Sequence, residues 1–131
     1  MTQIKPLGAE FEEYLRDESR SVGSAQTISF PTCEDKIRSV LRELYPSGTP
    51  ITVQGSRTGL AAGAVPAGGH VMNLSRACSY LGLRRDEKGT FYLRVQPGVI
   101  LSELRKHLAN KSIPVHDWDA VSLHALEELY T

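Results

Sequence analysis

An α+β fold, with a small parallel sheet flanked by helices and joined to antiparallel strands, follows from three features of this sequence. Residues 25–54 read as strand, helix, strand, a unit that normally sets its two strands parallel in one sheet. Residues 80–96 read as two strands around a short polar linker, which is a hairpin. The length of 131 residues is that of one ordinary domain with a single modest core. Fifteen basic residues balance fifteen acidic ones, so no broad field recruits nucleic acid or a membrane surface. No apolar run approaches the roughly 18 residues that span a bilayer. The start, Met1-Thr-Gln-Ile-Lys-Pro6, lacks a signal peptide's basic region and apolar block, so a cytoplasmic location is expected. Cys33 and Cys78 are too few and too far apart for a disulfide framework or a zinc site.

Three segments are expected: an amino-terminal helical segment over residues 1–24, the main body over 25–118, and a carboxy-terminal helical segment over 119–131. In the first, Phe11, Tyr14 and Leu15 fall at i, i+3 and i+4 among charged neighbours, which predicts an amphipathic helix from Ala9 to Arg20. Ala25 to Phe30 alternates as a strand until Pro31 ends it. Thr32 is placed to cap the next helix, with Asp35 at its third position and Ile37, Val40, Leu41, Leu44 and Tyr45 along one face. Pro46 to Pro50 stops that helix, and Ile51 to Val53 is the next strand. Further on, His70 to Leu74 reads as a third strand. Tyr80 to Arg85 and Thr90 to Gln96 flank Asp86-Glu-Lys-Gly89, whose glycine suits a bulged hairpin. Ile100, Leu101, Leu104 and Leu108 lie at helical spacing, with Arg105, Lys106 and His107 near the carboxyl end where the dipole favours them. Ile113 to Val115 is a short extended piece, and Asp119 looks like the cap of a last helix carrying Leu123, Leu126, Leu129 and Tyr130.

The chemistry-bearing stretch is Thr52 to Pro66, an apolar strand running into a loop of small residues in which Gly55, Gly59 and Gly63 recur at every fourth position. A loop with so few bulky side chains lets a ligand approach the main chain, and glycines that accept positive φ can turn successive N–H groups toward one point. Such a loop is either an anion cradle, suited to a phosphate, or a mobile Gly/Ala turn. Its place after a parallel strand favours a ligand, because open α/β sheets bind at the carboxyl ends of their strands. Neither familiar nucleotide fingerprint fits: Gly63 is followed by Ala-Val-Pro rather than Lys-Ser/Thr, and Pro66 with Gly68 and Gly69 leaves no room for a long helix. What remains is a set of backbone donors with the Ser56 and Thr58 hydroxyls and Arg57 as an added cationic donor, an inventory that suits a pyrophosphate. Two weaker candidates are Cys33 at a helix start, with no histidine placed by sequence to work with it, and His116-Asp-Trp-Asp119 with His124. The first reads more simply as a small residue of the first turn. The second reads as polar connection and cap, and no metal site is expected.

Gln54-Gly-Ser-Arg-Thr-Gly-Leu-Ala-Ala-Gly-Ala-Val-Pro66, followed by Asn73-Leu-Ser-Arg76 and Arg94-Val-Gln-Pro-Gly-Val99, resembles the amino-terminal FAD-binding region of FAD-linked oxidases of the vanillyl-alcohol oxidase and p-cresol methylhydroxylase type. The resemblance is closest to the branch with the glycolate oxidase flavoprotein and D-lactate dehydrogenases, which Tyr14 to Ser19 and the helix after Pro31 also resemble. The shared segments run in the family's order from about residue 10 to 110.

The resemblance implies that Gln54, Gly55, Ser56, Arg57, Thr58, Gly59 and Leu60 form the loop that holds the FAD pyrophosphate by backbone amides. Arg57 stands where the family has a glycine, which puts its φ angle in question and adds a cation that could face the phosphates. Thr58 occupies the position at which some branches attach flavin through a histidine, so noncovalent FAD is expected. The family's remaining cofactor contacts and its substrate domain correspond to nothing in residues 1–131, so the chain is expected to be an amino-terminal fragment without catalytic residues of its own. The intact protein would oxidise a small 2-hydroxy acid of the glycolate or lactate type by hydride transfer to flavin, with an iron–sulfur or other electron-transfer protein as a conceivable partner. The fragment alone is expected to be inactive and to self-associate through exposed apolar surface. Two other readings share these residues: a noncatalytic nucleotide-binding or interaction module, and a flavoprotein like UDP-N-acetylenolpyruvylglucosamine reductase.

Overall fold

The computed structural model describes residues 3–131; Met1 and Thr2, which begin the expected amino-terminal segment, lie outside the described residues. Contacts divide the chain into two units, the first ending at Ala77 and the second running from Cys78 to Thr131. An α+β architecture is present, with the parallel strands in the first unit and the antiparallel pair in the second.

The first unit is built on a four-stranded sheet of β1 (Lys5–Pro6), β2 (Thr27–Ser29), β3 (Ile51–Gln54) and β4 (His70–Asn73), in the order β1-β2-β4-β3. β2 and β3 are both parallel to β4, and β1 lies antiparallel on β2. The strand-helix-strand unit therefore does put its two strands parallel in one sheet, but β4 is inserted between them. Burial explains the order. All of β4 is buried, as a strand covered on both faces must be, whereas Val53 of β3 is 55% exposed and suits an edge. His70 pins the centre: its two ring nitrogens lie 2.8 Å from the Thr27 and Ser29 hydroxyls of β2.

Helix α1 (Glu34–Leu44) starts one residue later than expected. Cys33 is its N-cap and makes no side-chain capping bond, while the Thr32 hydroxyl accepts from Lys36 Nζ at 3.0 Å, so Asp35 becomes the second helical residue. Val40 is buried, but Leu41 and Tyr45 at the end of the expected apolar face are exposed. The predicted helix from Ala9 to Arg20 is instead a 3-10 helix over Ala9–Leu15. Asp17 explains its early end: Asp17 Oδ1 accepts from the Ser19 amide at 2.8 Å, a local turn that competes with helix, and Arg20 then turns to φ 70°. Phe11 and Tyr14 from the 3-10 helix pack on Phe30, with the Tyr14 and Phe30 rings edge to face at 5.1 Å.

In the second unit, β5 (Tyr80–Arg85) and β6 (Phe91–Val95) form the expected antiparallel pair. Asp86 organises the connection by accepting the Lys88 and Thr90 amides at 2.9 Å each, and Gly89 takes φ 83°. The irregular register lies not at this turn but between Tyr80 and Gly82. Helices α2 (Leu101–Ala109) and α3 (Ala120–Tyr130) follow, and Asp119 caps α3 as expected by accepting the Ser122 amide at 2.8 Å. Those bonds from Ser122 hold the Asp119 carboxyl below the usual carboxylate range. The core gathers Tyr80, Leu83, Ile113, Trp118 and Ala125, and Trp118 Nε1 donates to the Tyr80 carbonyl at 2.8 Å. Ile113 to Val115 joins no strand; Ile113 is a core residue whose amide donates to the Tyr130 hydroxyl. No helix among the described residues is long and apolar enough to cross a membrane.

Candidate functional site

The glycine loop leaves the end of β3 as the sequence places it, and a buried amide network fixes where it leaves. Gln54, 1% exposed, donates through Nε2 to the Tyr14 carbonyl at 2.7 Å and to the Ala64 carbonyl at 2.8 Å. The first bond ties the strand end to the 3-10 helix, and the second closes the loop on itself across ten residues. Asn73 at the end of β4 donates to Gln54 Oε1 at 3.0 Å and to the Gly55 carbonyl at 3.3 Å, while its own Oδ1 accepts from the Ser75 amide and hydroxyl.

Between those anchors the main chain is open. Among the described residues, no amide from Ser56 to Gly63 donates a hydrogen bond to the protein, the first loop amide to do so in a backbone turn being Val65, to Ala62. Ser56, Thr58, Gly59 and Leu60 are all exposed, Leu60 by 79%. A run of unsatisfied N–H groups on a short loop is the donor set of an anion cradle.

The glycines do not serve the backbone as the sequence suggests. Gly55, Gly59 and Gly63 have ordinary φ angles, and the left-handed residues of the loop are Arg57 (φ 58°) and Ala62 (φ 61°). A Cβ added at Gly55 or Gly63 would meet nothing within 4 Å, and one at Gly59 would touch only Asp17 Oδ2, at 4.0 Å. The fold itself thus gives these three positions no reason to be glycine. Space kept clear for close approach of another molecule does give one, and the loop fits a phosphate-bearing group on both donors and room.

Arg57 does not reach toward that open side. Its Nη1 donates to the Glu13 carbonyl and, at 3.4 Å, to the Arg16 carbonyl, and its guanidinium lies 4.7 Å from the Tyr14 ring centroid. The expectation of a cation facing the ligand is corrected accordingly: the fork is turned onto the 3-10 helix. Asp17 is not legible in the sequence as part of this site. It is 7% exposed, its Oδ2 has no hydrogen-bond partner, and the Ser19 hydroxyl and amide together with the Ala64 amide hold its carboxyl below the usual range. Its spacing to Ser19 is the available sign, since an aspartate two residues before a serine favours such a turn.

Cys33 caps α1 without a histidine beside it in any hydrogen bond, and Cys78 is exposed. His116 pairs with Asp117 and His124 with Glu128, both at 3.1 Å on the surface. Among the described residues, no three His, Cys, Asp or Glu side chains come together to hold a metal ion.

Residues 25–123, most of the chain, match the family described as FAD binding domain. The chain belongs to that family. It is an FAD-binding domain of the FAD-linked oxidoreductases. D-lactate dehydrogenase of Anaerostipes hadrus is 32% identical over 96 residues, which is 71% of this chain and 20% of that protein. Among solved structures, p-cresol methylhydroxylase with substrate bound superposes on 95% of the chain, and 24% of its own, with a TM-score of 0.66 at 16% identity. CrmK, a flavoenzyme of shunt product recycling in caerulomycin biosynthesis, matches 85% of the chain and 22% of its own with a TM-score of 0.58 at 19% identity. These likenesses give the FAD-binding domain the p-cresol methylhydroxylase fold. The chain spans about a fifth of the length of the curated relative it matches.

Proposed function

We propose that Gln54, Gly55, Ser56, Arg57, Thr58, Gly59 and Leu60 form the cradle for the FAD pyrophosphate, with the amides from Ser56 onward as donors. The observation that carries this is the coincidence of unpartnered amides with glycines whose missing side chains leave open space. Bound FAD supplies hydride-accepting chemistry; this chain's residues bind and orient it. The hydroxyl of Thr58 is a far poorer nucleophile than an imidazole, which supports noncovalent attachment. We further propose that the whole protein oxidises a small 2-hydroxy acid, a reading supported by the D-lactate dehydrogenase relative.

Gly59→Val tests the cradle. A Cβ at this exposed position would have no closer neighbour than Asp17 Oδ2, at 4.0 Å, and the φ is not left-handed, so the fold should tolerate it. FAD titration, followed by quenching of flavin fluorescence, should show affinity falling by about tenfold or more with Tm held, because only ligand approach is blocked. Unchanged FAD affinity would remove the loop from the site.

A further inference from the structure

Arg57 is the one residue of the cradle whose backbone works against its side chain. At φ 58° it occupies the left-handed region that disfavours a long side chain, at a position where glycine would sit freely. Something the side chain does must offset that strain. Two carbonyls of the 13–16 segment accept from its Nη1, the Glu13 carboxylate lies 3.7 Å from its Nη2, and its face rests on the Tyr14 ring. That ring is not free to yield: it is wedged on Phe30, and the Arg76 guanidinium lies 3.9 Å from the Phe30 centroid on the cluster. Only 22% of the Arg57 side chain is exposed. Gln54 grips the same segment at the Tyr14 carbonyl, so the two anchors bracket Gly55 and Ser56 from either side.

We propose that Arg57 is a positioning residue, a strap that holds the cofactor loop on the 13–16 segment and keeps the amides of Ser56 to Gly59 arranged before FAD arrives. It acts through the main chain, not by placing its charge on the phosphates. A loop ordered in advance loses less entropy on binding, and that is where the gain in affinity arises. This inference rests on the FAD cradle proposed above.

Arg57→Gly removes the strap and relieves the φ strain, and Arg57→Lys keeps the charge but neither the planar fork nor the stacking surface. Without FAD, backbone amide order parameters at Ser56 to Gly59 should fall from about 0.85 to below about 0.6 in Arg57→Gly, while those of β4 and the Tm stay as in the wild type. FAD affinity should fall by about tenfold in both variants, with the salt dependence of binding unchanged. Lysine restoring wild-type affinity, or a shallower salt dependence in Arg57→Gly, would place the charge on the phosphates and overturn the strap. A lowered Tm tracking the affinity loss would make the role merely structural. Equal order parameters and equal affinity in wild type and Arg57→Gly would overturn the strap and leave the cradle standing, whereas FAD affinity unchanged by Gly59→Val would overturn the cradle itself.

Discussion

Asn73 Nδ2 donates to Gln54 Oε1 at 3.0 Å between the ends of two neighbouring parallel strands, and both side chains are 1% exposed. Through that contact the amide of Gln54 is oriented so that its NH2 group serves two carbonyls at once, Tyr14 and Ala64. Gln54→Ala therefore strands the part-buried Tyr14 and Ala64 carbonyls, each costing roughly 1–3 kcal/mol when left unpaired, less whatever water recovers, and takes from the buried Asn73 amide one of its two acceptors. Urea unfolding should report a loss of about 3 kcal/mol, and Asn73→Ala should cost a similar amount, since it leaves the Tyr14 and Ala64 bonds in place but strands Gln54 Oε1, the Gly55 carbonyl and the Ser75 amide. A loss in Gln54→Ala no larger than that of an ordinary surface substitution, within about 0.5 kcal/mol, would show that the network does not hold the loop.

His70 predicts an acid-sensitive sheet. Burial lowers its pKa from the ordinary value, with Glu43 opposing the shift, so the folded state prefers the neutral ring. Because the folded pKa lies below the unfolded one, no stability is lost above the unfolded value of about 6.5, and stability falls as pH drops from there toward the folded pKa. Chemical denaturation at pH 7.5 and at successive steps below 6.5 should show this slope, and His70→Gln, which keeps polar partners for Thr27 and Ser29, should flatten it. Identical slopes in the two proteins would assign the acid sensitivity to other groups.

Gly69→Ala should be among the most damaging single changes in the first unit. Gly69 takes φ 75°, and a Cβ there would sit 2.2 Å from the Pro50 carbonyl oxygen, at the turn that feeds β4 into the middle of the sheet. Left-handed strain of roughly 1–3 kcal/mol adds to an overpacking cost of similar size. Thermal unfolding should show Tm lowered by many degrees, in contrast to Gly59→Val in the cradle. Equal tolerance at the two positions would contradict the distinction between glycines the backbone needs and glycines the ligand needs.

Much of this architecture can be read from local pattern. The alternation around Ile28, the 3.6-residue rhythm of α1, the Asp86 to Gly89 linker and the Asp119 cap each depend on neighbours a few residues apart, and each appears near where the sequence puts it. The 3-10 helix escapes such reading because Phe11, Tyr14 and Leu15 have helical spacing, while the competing Asp17 turn is a side-chain effect that periodicity does not register. The insertion of β4 between β2 and β3 is hidden because strand order depends on which strand can be buried on both faces, a property of the assembled sheet.

The loop divides in the same way. The sequence by itself determined that a strand would deliver a run of small residues, Gly55 to Gly63, to a sheet end where ligands bind, and its motifs identified the family. Only the tertiary structure decided what those residues do: the glycines leave room instead of bending the chain, Asp17 lies beneath Gly59, and Arg57 turns away from the open amides onto Tyr14. The physical reason is that a side chain's direction is set by partners more than 40 positions away in the chain, the separation between Arg57 and the Glu13 and Arg16 carbonyls that hold it.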